Sequence, residues 1–269
     1  MSLNSGPSSA TRRKSRRPGP ALAVKTQPAQ RRATETFERI LEVGAQTLAD
    51  VGIDRLSTNL VCERAGLSPP ALYRYFPNKY ALLCELGRRL MERQNEVVPR
   101  WISLEVLAGP RAGLERALQG LLLDTYRVTR ETTAGVWITR ALRAVPALAE
   151  VRLASHHQVT QAQVELLKLA YPGAELEELR LLSRVTVELI YAATELLFEE
   201  SPLSGQAVAR LVGAMVASYR GRLRGERGKK GERKGGEAER QSRSTARAGH
   251  KATGSGKPAT PGGREHRRG

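Results

Sequence analysis

The chain has little of what catalytic and metal chemistry needs. It holds four histidines, two cysteines and three methionines in 269 residues. His250 and His266 fall in a basic C-terminal stretch, and the other two, His156 and His157, are neighbours. Adjacent side chains on a helix point about 100° apart, so that pair cannot converge on one metal ion. There is no Cys-x-x-Cys pair, no glycine-rich phosphate loop and no nucleophile elbow. Carboxylates are spread over helical faces, and no two stand out as a catalytic pair. These absences argue against an enzyme and against a cofactor. Cys62 and Cys84 are too few for a disulfide scaffold and suit a reducing cytoplasm, as small buried hydrophobes. No apolar run approaches the roughly 18 residues that a membrane span needs. The basic N-terminus has no apolar stretch behind it, which reads as no signal peptide. Alternating apolar and polar runs, the mark of strands, are missing as well, so the expected fold is all-α.

What is abundant is positive charge, and it sits at the ends. The formal net charge is +17. Residues 1–30 carry six Lys or Arg and no acid, and residues 221–269 carry fifteen against five Glu. The body between them, with 23 basic and 22 acidic residues, is nearly neutral. Both ends are rich in Gly, Ser, Pro, Arg and Lys, and lack the apolar surface that offsets chain entropy. They read as disordered basic tails, 1–30 and 223–269. Such tails either grip phosphate through counterion release or are solvated ends with no dedicated role.

Helical periodicity runs through the body. Phe37, Ile40, Leu41, Ala45 and Leu48 mark a helix over about 32–50, and Leu82, Leu83, Leu86 and Leu90 one over about 78–97. Breaks at Pro99, Gly109-Pro110, Pro146 and Tyr171-Pro172-Gly173 set off helices near 111–129, 133–142 and 147–170. Two long stripes follow, over about 174–200 and 204–222. They can pair with their copies in a second subunit as a four-helix bundle, with Leu182, Leu189, Leu211 and Met215 as candidate interface positions. Alternatively, they only close the protomer's own core.

Residues 57–79 are the most informative. Ser57 or Thr58 can cap a short helix whose apolar positions are Leu60, Val61 and Ala65. Gly66 can take the left-handed turn that follows. Ser68 stands at an N-cap before Pro69 and Pro70, which lose no ladder bonds in a first turn. With no N–H on Pro70, the Ser68 hydroxyl is expected to bond to the N–H of Ala71. Leu72, Tyr75 and Phe76 can face inward, Tyr73 and Arg74 outward. Pro77 ends the helix and Asn78 can cap the next. Helix, glycine turn, helix is the layout of a helix-turn-helix DNA reader.

Ala-Gly-Leu-Ser at 65–68, Ala-Leu-Tyr-Arg-Tyr-Phe at 71–76 and Pro-Asn-Lys at 77–79 resemble, at these spacings, the DNA-binding domain of the TetR family of bacterial transcriptional regulators. The resemblance extends from about Arg32 to Glu92; beyond residue 95 it rests on length and helical pattern. It implies a helix-turn-helix domain over 32–93 and a helical effector-binding and dimerisation domain over 95–222. It also implies a homodimer on a palindromic, double-stranded operator: a cytoplasmic, nucleoid-associated repressor released by a small molecule. An architectural DNA-binding protein using its basic tails is the alternative.

Read onto this sequence, Ser68, Pro69, Pro70 and Ala71 would meet base edges, offering rigid apolar surface suited to thymine methyl groups. Polar discrimination would fall to Asn59 or Arg74. Thr58, Tyr73, Tyr75 and Lys79 match family positions that hold backbone phosphates, although Tyr75 also reads as a core aromatic. Lys79 stands near a helix N-terminus, where a cation is unfavourable without a phosphate. The resemblance further implies an effector pocket, for which Trp101, Tyr126, Trp137, Arg140, His156 and Tyr191 are candidates. With so few aromatics, the lining would be largely aliphatic and the effector hydrophobic.

Overall fold

The computed structural model describes residues 20–26, 31–199, 203–220 and 223. Most of the two expected tails lies outside these residues. The chain divides at Tyr219 into a main body and a C-terminal unit. Among the described residues all regular structure is helical.

The first helix, α1 (Arg31–Arg55), buries the Phe37, Ile40, Leu41 and Leu48 stripe. It runs past the expected end at about 50, but its backbone breaks at Gly52, with φ 72° and ψ 178°. Next come α2 (Thr58–Ala65), α3 (Pro69–Tyr73) and α4 (Lys79–Asn95). The Asn78 side chain caps α4, accepting from the N–H groups of Tyr80 and Ala81 at 2.9 and 3.0 Å. Leu82, Leu83 and Leu90 of α4 are fully buried, in one cluster with Phe37, Ile40 and Phe76. This is an N-terminal helix-turn-helix unit whose last helix continues into a larger helical layer.

That layer begins with two short helices that periodicity missed, α5 (Val98–Trp101) and α6 (Leu104–Ala108). At four and five residues they are too short to carry a stripe. Then follow α7 (Arg111–Glu131), α8 (Gly135–Ala144), a 3₁₀ turn at Pro146–Leu148, α9 (Ala149–Ala170) and α10 (Leu176–Glu199). A last helix, α11, occupies 205–220. Arg111 on α7 donates to Ser218 Oγ at 2.7 Å, which ties α11 to α7. The core is continuous: Phe37, Phe76 and Leu82 share one buried cluster with Ile138, Leu142, Leu148 and Tyr191. No described helix is long and apolar enough to cross a membrane.

Residues 20–26 correct the expectation that all of 1–30 is disordered. The Lys25 N–H donates to the Tyr75 carbonyl at 2.9 Å, and Asn78 Nδ2 donates to the Ala21 carbonyl at 2.9 Å. Leu22 and Val24 pack against the core. The alternation in Ala21-Leu22-Ala23-Val24 was the available signal, hidden by the charge on either side.

Candidate nucleic-acid interface

The helix-turn-helix assembles from local chemistry, with one exception. Ser57 caps α2, its Oγ accepting from the Leu60 N–H at 3.2 Å. Gly66 takes the left-handed conformation, φ 62° and ψ 37°, and Leu67 N–H closes the turn on the Cys62 carbonyl at 3.0 Å. A side chain at Gly66 would be strained, because a Cβ crowds the backbone at positive φ. The exception is Ser68. Its hydroxyl makes no capping bond; the Ala71 N–H goes instead to the Ser68 carbonyl at 3.0 Å. With Pro69 and Pro70 fixing φ, the first turn closes through its own backbone, and the Ser68 side chain is exposed at the tip of α3.

The surface this creates is compact. Asn59, Ser68, Pro69, Pro70, Tyr73 and Arg74 are exposed, and Thr58, Ala71 and Lys79 half-buried. Thr58 Oγ1 and the Tyr73 hydroxyl lie 3.0 Å apart, so α2 and α3 present one joint hydroxyl pair. Arg64 on α2 pairs with Asp50 on α1 at 2.6 Å, an exposed contact that orients more than it stabilises.

Two expected phosphate contacts need revision. Tyr75 is only 3% exposed, stands edge-on to Phe37 at 5.6 Å, and donates its hydroxyl to the Ala33 carbonyl at 3.3 Å. It is a core aromatic: 72, 75 and 76 fall on one face of a helical turn, and Leu72 and Phe76 are buried with it. Tyr75→Phe is therefore expected to cost about 0.5–1.5 kcal/mol of stability, for one intramolecular hydrogen bond. It should change operator affinity by less than about twofold, measurable by titration of labelled DNA. A tenfold loss would return Tyr75 to the phosphate contacts.

Lys79 is placed at the surface as expected, but its Nζ already donates to the Ile53 carbonyl at 3.2 Å. Ile53 lies in the last turn of α1, where carbonyls have no helical partner. The charge at the α4 N-terminus is thus met inside the protein, and the helix-end mismatch does not by itself call for a phosphate. The ammonium carries three N–H donors, so this bond fixes its position without using it up.

The six pocket candidates do not converge. Trp101 Nε1 donates to Asp124 Oδ2 at 2.8 Å, and Tyr126 stacks on Phe198 at 4.6 Å. Trp137 packs against Gly52, and Arg140 is exposed 5.4 Å from the Trp137 ring. Only His156 and Tyr191 meet inside, stacked at 4.3 Å. His156 Nδ1 faces Glu188 Oε1 at 3.0 Å, and burial pushes its pKa below the usual histidine range despite that carboxylate. His157 is exposed and bonds to Gln161. Between α4, α7, α9 and α10 lies a cavity of about 20 Å³ that touches Tyr191 and four polar residues the sequence reading passed over: Gln94, Thr125, Gln163 and Thr186. Their signal was polarity at core positions of helical stripes. A larger cleft of about 650 Å³ opens between residues 22–24, α4 and α9. Cys84 lines it, and burial pushes the thiol up to about 11, with the Glu150 and Glu85 charges adding to the shift. At neutral pH such a thiol is protonated and unreactive.

Residues 40–86 match the family described as bacterial regulatory proteins, tetR family. Among curated relatives, the class A tetracycline repressor from transposon 1721 of Escherichia coli is 39% identical over 62 residues, 23% of this chain and 29% of that protein. An uncharacterized HTH-type transcriptional regulator of Mycobacterium bovis is 28% identical over 106 residues, 39% of this chain and 49% of that protein. The chain thus spans half or less of the curated relatives it matches. Among solved structures, a tetR-family transcriptional regulator from Streptomyces coelicolor superposes with a TM-score of 0.51 at 20% identity, over 71% of this chain and 86% of that one. That likeness concerns the fold.

Proposed function

We propose that this chain, which resembles the bacterial regulatory proteins of the tetR family over residues 40–86, is a sequence-specific transcriptional regulator that binds a palindromic operator as a homodimer. The observation that carries the reading is the exposed row Asn59, Ser68, Pro69, Pro70, Tyr73 and Arg74, held on a buried α1–α3–α4 core. In such a motif the N-terminal end of the second helix enters the major groove. Ser68, Pro69, Pro70 and Ala71 meet base edges there. Thr58, Tyr73 and Lys79 hold the backbone, and Asn59 or Arg74 adds polar discrimination. The reader occupies about 32–93, and the remainder to about 222 dimerises and senses a ligand.

Two features support the dimer. On α10, Leu181 and Val185 are 63% and 45% exposed; on α11, Leu211 and Met215 are 64% and 55% exposed. Each pair is one turn apart, so each helix presents an apolar stripe that the protomer leaves uncovered. On α10 the uncovered stripe is Leu181 and Val185 in place of Leu182 and Leu189, which are half-buried within the protomer. A symmetric partner covers both stripes at once.

Release follows from α4. It begins at Lys79 beside α3 and ends at Asn95 in the helical layer, about 25 Å away at 1.5 Å per residue. A small hydrophobic effector that binds the layer shifts the far end of α4 and thereby changes the spacing of the two readers. Half-sites about 34–36 Å apart tolerate little such change.

Footprinting of the purified protein on genomic fragments tests the reading. A protected palindrome, much tighter than random DNA, supports it; uniform coating of all sequences would indicate an architectural protein. On that operator, Lys79→Ala is expected to weaken binding to every sequence alike and to lower the salt slope by about 1, because phosphate contacts position without specifying. An unchanged slope would remove Lys79 from the phosphate contacts.

A further inference from the structure

Of the four polar residues in the wall of the small cavity between α4, α7, α9 and α10, Gln163 has its amide oxygen engaged by Ser183 Oγ at 3.2 Å, and the other three have spare acceptors. Gln94, on α4, is 2% exposed. Its Nε2 donates to Thr129 Oγ1 at 2.7 Å, and the Thr129 hydroxyl in turn donates to the Thr125 carbonyl at 2.8 Å. Since the Thr129 proton is committed, it must accept from Gln94, which fixes the amide with its nitrogen on that side. Gln94 Oε1 is left buried with no donor. Thr125 and Thr186, also in the cavity wall, spend their hydroxyl protons on the Leu121 and Leu182 carbonyls at 2.8 and 2.7 Å. Both hydroxyls therefore keep only lone pairs to offer. Around these acceptors the wall is aliphatic, with Leu121, Val159, Val187 and Ile190 among its members.

From this arrangement we infer that the cavity is the polar end of a ligand site selective for apolar molecules that carry a hydroxyl or N–H donor, which Gln94 Oε1 accepts. The inference rests on the effector-responsive reading above and assigns its ligand chemistry. A buried acceptor without a donor is unfavourable, and a donor-bearing ligand relieves it; an ether or hydrocarbon of the same size does not. At about 20 Å³ the cavity takes only a water-sized group as it stands. A longer ligand enters by parting α4 from α7, α9 and α10, which moves the helix that carries the reader.

The test uses two isomers of equal composition, 1-octanol and 1-methoxyheptane, titrated calorimetrically into the full chain. The alcohol should bind about tenfold more tightly, the margin of one satisfied buried acceptor. Gln94→Met, which keeps the volume, should weaken the alcohol alone and bring the two isomers together. Equal binding to the natural chain overturns the inference, and so does an alcohol preference that survives Gln94→Met. If neither isomer binds, Gln94 accepts from a trapped water and the inference is again overturned. Operator footprints with and without the alcohol separate the two readings. A preference for the alcohol with an unchanged footprint leaves the site standing and removes effector release. A protected operator with no preference does the reverse.

Discussion

Replacing both Leu211 and Met215 with Asp should leave a folded protomer that no longer dimerises or protects a full operator. At 64% and 55% exposure the two side chains contribute little to the protomer's own core, so the carboxylates would sit in water there. In a dimer built on the α10 and α11 stripes they would be buried without partners, and symmetry doubles the number. Each unpaired buried charge costs several kcal/mol, enough to shift the dimer equilibrium by at least a thousandfold. One reader alone makes half the contacts. Sedimentation and footprinting on the same sample decide the matter, with Leu181→Asp as a companion on α10. A double variant that still sediments as a dimer and protects both half-sites would place the interface elsewhere.

The second large effect is expected at Phe76. Its ring is fully buried and stacks on Phe37 with centroids 5.2 Å apart and planes 18° from parallel. Phe76→Ala should lower stability by about 3–5 kcal/mol, the combined loss of transfer energy and of packing around the void. In a body of this size that corresponds to a fall in Tm of about 10–15 °C, followed by circular dichroism. Because the cluster runs from Phe37 and Phe76 through Leu82 to Leu142 and Tyr191, reader and helical layer should melt in one transition. A fall of under about 3 °C would mean that the ring's neighbours collapse into the space. Operator affinity should drop even at temperatures where the variant is folded, since Phe76 sets how α3 stands on α1.

Much of the reader was legible because its signals are local. A serine before a helix, a glycine after it, prolines in a first turn and an asparagine before the next helix each act within four residues. Ser57, Gly66 and Asn78 do what their positions imply. Ser68 does not, for an equally local reason: two prolines in succession close the turn through the backbone. Tyr75 was open between two roles, and its place beside Leu72 and Phe76 on one turn decides for the core.

The helical layer was legible in outline only. Aromatic and basic residues looked like ligand contacts because they stand out in composition, yet most of them pair with near neighbours: Trp101 with Asp124, Tyr126 with Phe198, Arg140 with Trp137. The residues that do share a cavity, Gln94, Thr125, Gln163 and Thr186, sit on four different helices and have unremarkable names. The choice between Leu181 and Leu182 for the outer face of α10 has the same character. Periodicity gives two candidate stripes about 100° apart, and only packing against α7 and α9 says which is covered.

By itself, then, the sequence determined the all-α class, the order and approximate length of the long helices, and the helix-turn-helix with its caps at Ser57 and Asn78. All of these depend on interactions within a few residues or on the 3.6-residue period. The tertiary structure alone decided that residues 20–26 lie against Tyr75 and Asn78. It alone gave Lys79 the Ile53 carbonyl, left Gln94 with an unmet acceptor in the interior, and left Leu181, Val185, Leu211 and Met215 outside. Each of these joins residues distant along the chain. Which surface a helix covers, and which polar atom it strands, depends on what packs against it, and no local pattern carries that information.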